Sequence, residues 1–353
     1  MAILTALDLP GAQAIGRRYG LTVVEVRPVL AGSVNSNYAL VHSGGERAPS
    51  IPSAAGGAQV FLRIYEEQDA QSARGEAALL EHLCAGGVRT PRPIATDGGD
   101  FISEHAGKPV AIFPWCEGQG SCQAGVTAER ARKVGEALAR VHLAGATFQG
   151  GSKSRFDMQA LRGRLEHLKH QPLDARLRVV TLDLGAALDR SLTMPPPPAE
   201  SQGIIHGDLF RDNVLWDAEG NLAALLDFES ASRGSFAFDL MVTVLAWCYA
   251  GPTQGADAHF EIELARAMVG GYAAVRPIPE AERARFWAEA RFAAARFTIT
   301  RITDFELRPR GVGVFKDYRR FLGRLRAIEA LGAEGWGALL GAPPSARPTL
   351  TGS

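Results

Sequence analysis

The feature that most restricts the fold of this chain lies between residues 204 and 229, where two short apolar runs flank a polar turn. The runs Val214–Trp216 and Ala223–Leu226 have the length and composition of β-strands, and the turn between them contains Asp, Gly and Asn. We therefore expect a β-hairpin. Pairing of its strands would carry Asn213, at the start of the first strand, close to Asp227, at the end of the second.

Three oxygen-bearing side chains in this stretch suit phosphoryl transfer. Asp208 and Asn213 lie on the loop before the hairpin, and Asp227 ends its second strand. Transfer of a γ-phosphate needs magnesium held by hard oxygen ligands, and a carboxylate that orients the acceptor hydroxyl and takes its proton. The pattern predicts Asp208 as the catalytic base and Asn213 and Asp227 as Mg²⁺ ligands. The alternative is that these residues only shape turns, which Asp and Asn also favour.

With His206, the same residues form an H-x-D-x-x-x-x-N loop followed by a strand-terminal Asp, and in this the sequence resembles the aminoglycoside phosphotransferase and choline kinase superfamily. The resemblance implies an α+β, two-lobed protein-kinase-like fold. Its N-terminal lobe, residues 1–114, would be an antiparallel sheet that binds nucleotide phosphates. Its C-terminal lobe, residues 115–353, would be mainly helical and carry the catalytic loop and acceptor site. The implied cofactors are ATP and Mg²⁺.

Two further residues have roles near the loop under this resemblance. His206 is expected to brace the catalytic loop by packing. Asp239 lies early in an otherwise apolar helical run, and it either caps that helix or ties its start to the catalytic loop. Both interpretations of Asp239 are structural.

The segment before the hairpin divides into strands and helices. Leu21–Leu40 reads as two strands joined by the small residues Ala31–Ser33, and Val60–Tyr65 reads as a third strand after a Gly, Pro and Ser-rich loop at Gly44–Ala58. Apolar residues at helical spacing predict a helix over Ala73–Leu83. Beyond residue 115 the pattern is helical, first from 128 to 143 and again from 158 to about 192.

Arg63 and Glu76 provide a second prediction of a nucleotide site. Kinase-like sites hold the nucleotide phosphates with a cation on the third strand, paired with a carboxylate on the next helix. Glu76 lies on the apolar face of its helix, where a carboxylate is costly unless it is paired. Arginine replaces the lysine that most of the wider fold has, which keeps the charge but changes the geometry. The alternative places Glu76 at a solvated helix edge.

The remaining nucleotide contacts are expected from the turn and the strand that enclose the phosphates and the purine. Ser33, in the first turn, would lie over the phosphates. The strand Val110–Trp115 ends at the lobe boundary, and its residues Phe113 and Trp115 would lie against the adenine. Trp115 is equally compatible with a place in the core.

Within the superfamily, the sequence resembles the type II homoserine kinase branch over most of its length. The analogous segments are Asn35–Tyr38, His206–Asn213, the Asp239–Cys248 helix, and the late residues Arg296, Arg301 and Asp304. The resemblance implies transfer of phosphate to L-homoserine, giving O-phospho-L-homoserine for threonine biosynthesis. The chain departs from the branch at Glu229, where an aromatic residue is common, and in the long low-complexity loop at Gly44–Ala58.

The chemistry of homoserine suggests which residues would bind it. Its carboxylate needs a cation, for which Arg296 and Arg301 are candidates, and its ammonium needs an acid, for which Glu229 and Asp304 are candidates. Each of these can instead belong to a solvated helix face or an internal ion pair. Asn35 and Asn37 either approach the ligand or serve as strand and turn residues.

Two other functions stay open. One is phosphorylation of a different small alcohol, such as choline, hydroxylysine or an aminoglycoside, although a polycationic acceptor would need a strongly acidic pocket that this sequence does not suggest. The other is a nucleotide-binding regulator without catalysis, for which the intact Asp208, Asn213 and Asp227 offer no support.

Composition limits the partners and the compartment. The 38 basic and 38 acidic residues cancel, which gives no net attraction to nucleic acid or to an anionic membrane. The N-terminal stretch is interrupted by Asp8 and Pro10, and the longest apolar run, Phe236–Ala250, contains an aspartate and is shorter than the ~20 residues of a membrane crossing. Four cysteines without paired spacing favour free thiols. We expect a cytoplasmic enzyme, either monomer or homodimer, that acts on a small-molecule alcohol.

Overall fold

The computed structural model of the chain describes residues 3–30, 34–43, 58–122, 125–192, 195–250, 259–307 and 315–341. Its N-terminal part is a five-stranded antiparallel sheet in the spatial order β1–β2–β3–β5–β4. The strands are β1 (Val23–Val29), β2 (Ser36–His42), β3 (Ala58–Ile64), β4 (Ile102–His105) and β5 (Lys108–Pro114). The two strands predicted within Leu21–Leu40 and the strand predicted at Val60–Tyr65 are present as β1, β2 and β3. Ser33 and residues 44–57 of the predicted loop lie outside the described residues.

The two faces of the sheet pack against different helices. Successive side chains of a strand point to opposite faces, so Val60, Leu62 and Ile64 of β3 share one face and Arg63 points to the other. The first face packs in a core with residues of helix α1 (Leu9–Arg18). The second face lies towards helix α2 (Ala70–Ala85), the predicted helix that carries Glu76.

Helix α1 was not expected from the sequence, because Asp8 and Pro10 were interpreted as an interruption. In the structure they begin the helix. The Asp8 side chain accepts a hydrogen bond of 2.9 Å from the backbone N–H of Gly11, and Pro10 occupies the first turn, where its missing N–H costs nothing. The short strand β4 was also not predicted.

The C-terminal part is mainly helical, with three small two-stranded sheets. The helices are α3 (Ala128–Gly145), α4 (Met158–Lys169), α5 (Ala175–Leu192), α6 (Phe236–Trp247), α7 (Ile262–Val275), α8 (Glu280–Arg283), α9 (Phe286–Arg301) and α10 (Arg319–Leu339). The paired strands are β6 (Gln202–Ile205) with β9 (Ser232–Ser235), β7 (Val214–Trp216) with β8 (Leu222–Leu225), and β10 (Tyr249–Ala250) with β11 (His259–Phe260). The helical run predicted over residues 158–192 is two helices, because the chain turns at residues 170–174, which include Pro172.

Helices α3 and α7 cross at unusually close range, which two glycines permit. A β-carbon added at Gly135 would lie 2.0 Å from the carbonyl oxygen of Met268, and one added at Gly271 would lie 2.2 Å from that of Arg132. Each helix therefore presents bare backbone to the other. Helix α6 lies entirely in the interior, and every residue of it is buried.

The five-stranded antiparallel sheet followed by a helical remainder confirms the predicted α+β fold. The assignment of residues 1–114 and 115–353 to separate lobes stays a prediction. Within the described ranges, none of the helices has the length and apolar character that a membrane crossing requires.

Candidate active site

The pairing of β7 and β8 brings Asn213 and Asp227 to the same end of the hairpin. Val214 pairs with Leu225 in the ladder, and the backbone N–H of Leu226 donates a 2.9 Å hydrogen bond to the carbonyl of Asn213. The two predicted Mg²⁺ ligands therefore flank the last rung of the hairpin. The side-chain amide nitrogen of Asn213 donates to the carbonyl of Asp208, at 2.8 Å, which fixes the amide to the catalytic loop.

Asp227 has an unusual backbone conformation. Its φ of 62° and ψ of 69° lie in the left-handed region, which costs a residue with a β-carbon on the order of 1 kcal/mol. The chain turns sharply there from β8 into the following 3-10 turn. The turn directs one carboxylate oxygen to within 3.6 Å of the guanidinium of Arg63.

The predicted catalytic loop, residues 206–213, is held by a buried carboxylate. Asp239, on α6, accepts hydrogen bonds of 2.7 Å from the backbone N–H groups of both His206 and Gly207. It also contacts Nε2 of His142 at 3.0 Å. Burial alone would raise the pKa of Asp239, but these partners outweigh it and hold the pKa below its usual range. Ser235 is the residue that caps α6, so Asp239 ties the helix to the loop.

His206 links the loop to the hairpin. Its Nδ1 accepts from the backbone N–H of Asp208, at 3.3 Å, which leaves Nε2 to donate to the carbonyl of Leu226 at 3.0 Å. The ring also packs on Phe228, with 4.4 Å between ring centroids. Asp208, between these fixed points, is partly buried. Burial raises its pKa, although the positive charges of Arg296 and Lys316 oppose the shift.

Arg63 connects the sheet to the hairpin of β7 and β8. Its guanidinium lies 3.5 Å from the carboxylate of Glu76 on α2 and 3.6 Å from that of Asp227. Burial acts to lower the pKa of Arg63, but Asp227, Glu76 and Glu229 together outweigh it and raise the pKa. For Glu76 burial dominates and raises the pKa to about 8, with Arg63 opposing. Glu76 is buried and faces Arg63 between α2 and β3. The alternative that placed Glu76 at a solvated helix edge is therefore wrong.

A cleft of about 260 Å³ opens beside these charges. Phe113 and Trp115, from β5 and the connection after it, line the cleft together with Leu215 of the hairpin. Arg63, Glu76 and Asp227 also line it, together with further apolar side chains. The cleft thus combines an apolar, aromatic compartment with a charged group of residues. This combination suits a flat heterocycle that carries an anionic tail.

Two of the residues predicted to bind the acceptor contact each other. The amide nitrogen of Asn35, just before β2, donates to the carboxylate of Glu229, and its amide oxygen accepts from the backbone N–H of Glu66 at 3.1 Å. Burial and the neighbouring charge of Asp227 raise the pKa of Glu229. Asn37 is buried in β2 and stands opposite Arg63 in the strand register.

The three late candidates, Arg296, Arg301 and Asp304, have different surroundings. Arg296 reaches the catalytic loop, where it donates to the carbonyl of Gly207, and its guanidinium lies 4.2 Å from the ring centroids of both Phe156 and Phe297. Arg301 donates to the carbonyl of Asp317 at 3.0 Å. Asp304 instead forms an ion pair of 2.5 Å with Arg164. The structure brings Arg296 to the loop and binds Asp304 into an internal pair.

His142 supports the predicted site from below the loop, and the sequence analysis did not identify it. It lies on the buried face of α3, donates or accepts at Nδ1 with the hydroxyl of Tyr272 at 2.7 Å, and supports Asp239 with Nε2. Burial lowers its pKa. An imidazole ring on the apolar face of a helix requires a hydrogen-bond partner. The position of His142 on that face was therefore the sequence signal that could have identified it. The identity of the partner depends on packing between segments about 100 residues apart, for which the sequence holds no local pattern.

Comparison with known proteins gives matches over most of the chain. The phosphotransferase enzyme family matches residues 25–278. A homoserine kinase from Beijerinckia indica subsp. indica is 34% identical over 274 residues, which cover 77% of this chain and 81% of that protein. A homoserine kinase from Parvibaculum lavamentivorans is 31% identical over 334 residues, covering 92% of this chain and 95% of that protein.

Solved structures with the same fold have much lower sequence identity. The amicoumacin kinase hAmiN, in complex with AMP-PNP, Ca²⁺ and Ami, superimposes with a TM-score of 0.64 at 14% identity and covers 91% of this chain and 92% of its own. A choline kinase from Cryptosporidium parvum gives a TM-score of 0.58 at 15% identity, covering 90% and 93%. These likenesses confirm the predicted fold. Together, the fold, the sequence relatives and the matched region show that the chain belongs to the phosphotransferase enzyme family.

Proposed function

We propose that this phosphotransferase moves the γ-phosphate of ATP to the side-chain hydroxyl of L-homoserine and gives O-phospho-L-homoserine and ADP. The observation that carries the choice of acceptor is the similarity to homoserine kinases along nearly the whole chain. The meeting of Asp208, Asn213 and Asp227 at one end of the hairpin supports the reaction type.

ATP would lie with its purine in the cleft and its phosphates at the charged residues. Phe113 and Trp115 line the apolar compartment, where the purine faces can pack on them. Arg63 would hold the α- and β-phosphates, and Glu76 would keep Arg63 in place through their 3.5 Å contact. A guanidinium can bind two phosphate oxygens at once, so we expect arginine to serve where lysine is usual.

Asn213 and Asp227 are the residues that would hold Mg²⁺. They fit the ion because an amide oxygen and a carboxylate are hard ligands, and because the hairpin places them side by side next to the cleft. Oδ1 of Asp227, the oxygen 3.6 Å from Arg63, is buried and has no hydrogen-bond donor among the described residues, as expected for an atom that accepts a cation. When bound, the ion would neutralise charge on the triphosphate.

Asp208 would act on the acceptor. Its carboxylate would accept the proton of the homoserine hydroxyl while that oxygen bonds to the γ-phosphorus, and the bond from the γ-phosphorus to the β,γ-bridging oxygen would break to release ADP. A pKa raised by burial makes the carboxylate a better proton acceptor. His206 and Asp239 would keep the loop in position through their hydrogen bonds to its backbone.

The charged groups around Asp208 and Asp227 suit an amino acid. Glu229, oriented by Asn35, would face the ammonium of homoserine. Asn37 lies on β2, two residues after Asn35 and opposite Arg63. Arg296 and Arg301 add positive charge on the α9 side of the loop for the carboxylate. Asp304, which is bound to Arg164, would contribute only indirectly.

An acceptor screen tests this proposal. Purified enzyme with ATP and Mg²⁺ would be assayed for ADP release with L-homoserine, choline, hydroxylysine, methylthioribose and an aminoglycoside. We expect turnover with L-homoserine at a kcat/KM at least tenfold above that for the other compounds, a difference of about 1.4 kcal/mol in transition-state binding. Faster turnover with any other acceptor would refute homoserine as the substrate, and no turnover with any alcohol would favour a regulator.

We place the enzyme in the cytoplasm, where ATP is supplied and where the four free cysteines would remain reduced. The oligomeric state stays a prediction of monomer or homodimer. Gel filtration with light scattering distinguishes the two.

A further inference from the structure

Four arginines from three separate elements meet beside the catalytic loop. Arg211 belongs to the loop itself, Arg301 ends α9, and Arg320 and Arg324 lie one turn apart on α10. The guanidinium carbons of Arg301 and Arg324 lie 4.4 and 4.5 Å from the centroid of the same Phe321 ring. We call these four residues the arginine cluster.

The cluster members repel one another. Burial lowers the pKa of Arg301, Arg320 and Arg324, and the charge of Arg320 lowers the pKa of Arg301 and Arg324 further, whereas Asp317 opposes the shift in Arg301 and Arg320. Arg301 and Arg324 are only 7% and 3% exposed. Arginine remains protonated in proteins, so this is a concentration of real positive charge in a poorly solvated place.

The negative charges of Asp317 and Asp212 offset part of this charge, but direct ion pairs to three of its members are lacking among the described residues. In the described part of the chain, none of Arg301, Arg320 and Arg324 forms an ion pair with a carboxylate. The carboxylate of Asp317 binds Arg319 at 2.8 and 3.0 Å, and the bond from Arg301 goes to the Asp317 backbone carbonyl.

Two buried donors of the cluster also lack an acceptor. Nε of Arg324 and Nε of Arg320 are both buried without a hydrogen-bond partner among the described residues. Arg324 uses Nη1 on the carbonyl of Leu245, at 2.7 Å. A buried, unpartnered cationic donor is expensive, which is expected where a ligand supplies the missing acceptor.

The cluster lies within electrostatic reach of the proposed catalytic base. The charge of Asp208 raises the pKa of Arg301, and the Phe210 ring, two residues after Asp208, lies 5.9 Å from Phe321 at the cluster. Arg296 has less capacity for a ligand, since it donates to the Gly207 carbonyl and is packed between two rings. An acceptor whose hydroxyl is at Asp208 could therefore extend an anionic end into the cluster.

We propose that the arginine cluster binds the carboxylate of the acceptor and so restricts this enzyme to hydroxylated carboxylic acids. The inference rests on the proposed kinase function and goes beyond it by assigning the group that discriminates between acceptors. A cationic alcohol such as choline would place positive charge near four arginines, and the cluster would exclude it.

The test compares L-homoserine with L-homoserine amide, which has the same hydroxyl but no carboxylate. For wild-type enzyme we expect kcat/KM to be at least tenfold higher with homoserine. Arg320→Gln should raise the KM for homoserine about tenfold, as expected for loss of one charge-assisted contact, with little change in kcat, and should leave the amide unaffected. Arg320→Lys should restore part of the preference.

Arg326→Gln is the matched control, because Arg326 lies on the same helix with its side chain 61% exposed and outside the cluster. It should leave both substrates unchanged. A readout independent of turnover is the rise in melting temperature that homoserine produces in the presence of a non-hydrolysable ATP analogue. That rise should be smaller for Arg320→Gln than for Arg326→Gln.

The outcomes separate the two levels of proposal. If wild-type enzyme phosphorylates homoserine but Arg320→Gln keeps the full preference over the amide, the carboxylate subsite is wrong and the kinase function stands. Inhibition by sulfate that does not compete with homoserine would indicate a separate anion site and would also overturn the subsite. If wild-type enzyme uses choline or an aminoglycoside but not homoserine, both proposals fail.

Discussion

At the scale of single residues, the proposed reaction depends on three side chains that the loop and hairpin hold close together. Asp208, Asn213 and Asp227 fall within one loop and hairpin, so their meeting follows from short-range strand pairing. Arg63 and Glu76 were predictable from strand alternation and from the apolar stripe of a helix. The arginine cluster was not predictable, because its members come from a loop and two helices whose packing has no signature in the sequence.

The proposed role of Asp208 predicts a specific kinetic defect. Asp208→Asn should lower kcat at least about 100-fold, the general-base contribution, while ATP still raises the melting temperature of the variant. Glu219→Gln, at the exposed tip of the hairpin, is the control and should behave as wild type. A variant that keeps more than about a tenth of the wild-type rate would show that Asp208 is not the base.

Glu76 predicts a pH dependence of stability. Its pKa is about 8 in the folded protein, above the value of a solvated glutamate, so the folded state keeps a proton that the unfolded state releases. The stabilisation is fully present below the unfolded pKa and is lost as the pH rises towards 8, by up to about 1 kcal/mol per pH unit. Glu76→Gln should flatten this dependence.

Urea unfolding of the nucleotide-free enzyme at several values between pH 5 and pH 8 measures the effect of Glu76. The wild-type free energy of unfolding should decrease over this range more steeply than that of Glu76→Gln. Parallel curves for the two proteins would show that Glu76 ionises normally, as a closer pairing with Arg63 would allow.

At the scale of elements, strands and long helices agree with the sequence pattern, whereas short elements and element ends do not. Helix α1 was missed because Asp8 and Pro10 were taken to interrupt the chain, although both residues also start helices. The break between α4 and α5 was missed because the apolar spacing continues across it. In both cases the same local residues are compatible with two outcomes, and tertiary packing decides between them.

Alanine substitutions of two helical glycines should have opposite effects on stability, because only Gly135 lies where α3 and α7 cross. Gly135→Ala puts a methyl group 2.0 Å from a backbone oxygen that no rotamer change can move, so the helices must separate. We expect a loss of about 1–3 kcal/mol in the free energy of unfolding. Gly185→Ala, in α5, meets nothing within 4 Å and should stabilise by about 0.5–1 kcal/mol through helix propensity.

Thermal and urea denaturation of both glycine variants provides the comparison. If Gly135→Ala is as stable as wild type, the close contact of the two helices is not present in solution.

At the scale of the whole molecule, a few polar contacts join the sheet to the helical part. Arg63 on β3 reaches Asp227, and Asn35 reaches Glu229. The first contact belongs to the predicted nucleotide site and the second to the predicted acceptor site. Their positions explain why the sequence defined the two halves of the site separately but not the distances between them.

The position of Arg63 between Glu76 and Asp227 predicts that its substitution weakens ATP binding. Arg63→Met should raise the KM for ATP by about tenfold or more, since a charge-assisted phosphate contact is lost and Glu76 is left without its cation. Arg63→Lys should lie between this variant and wild type, because it keeps the charge without the fork. Steady-state kinetics with varied ATP measures both, and equal KM values for all three proteins would exclude Arg63 from phosphate binding.

The left-handed backbone of Asp227 has a consequence for how this enzyme can decay. Glycine adopts that conformation freely, so Asp227→Gly would relieve the strain and, at the same time, remove the carboxylate proposed to bind the metal. The mutant would be catalytically dead, and the buried Arg63 would lose the carboxylate whose charge favours its charged form most. The same aspartate that strains the backbone therefore also stabilises the cation beside it, so its replacement would relieve one cost and create another.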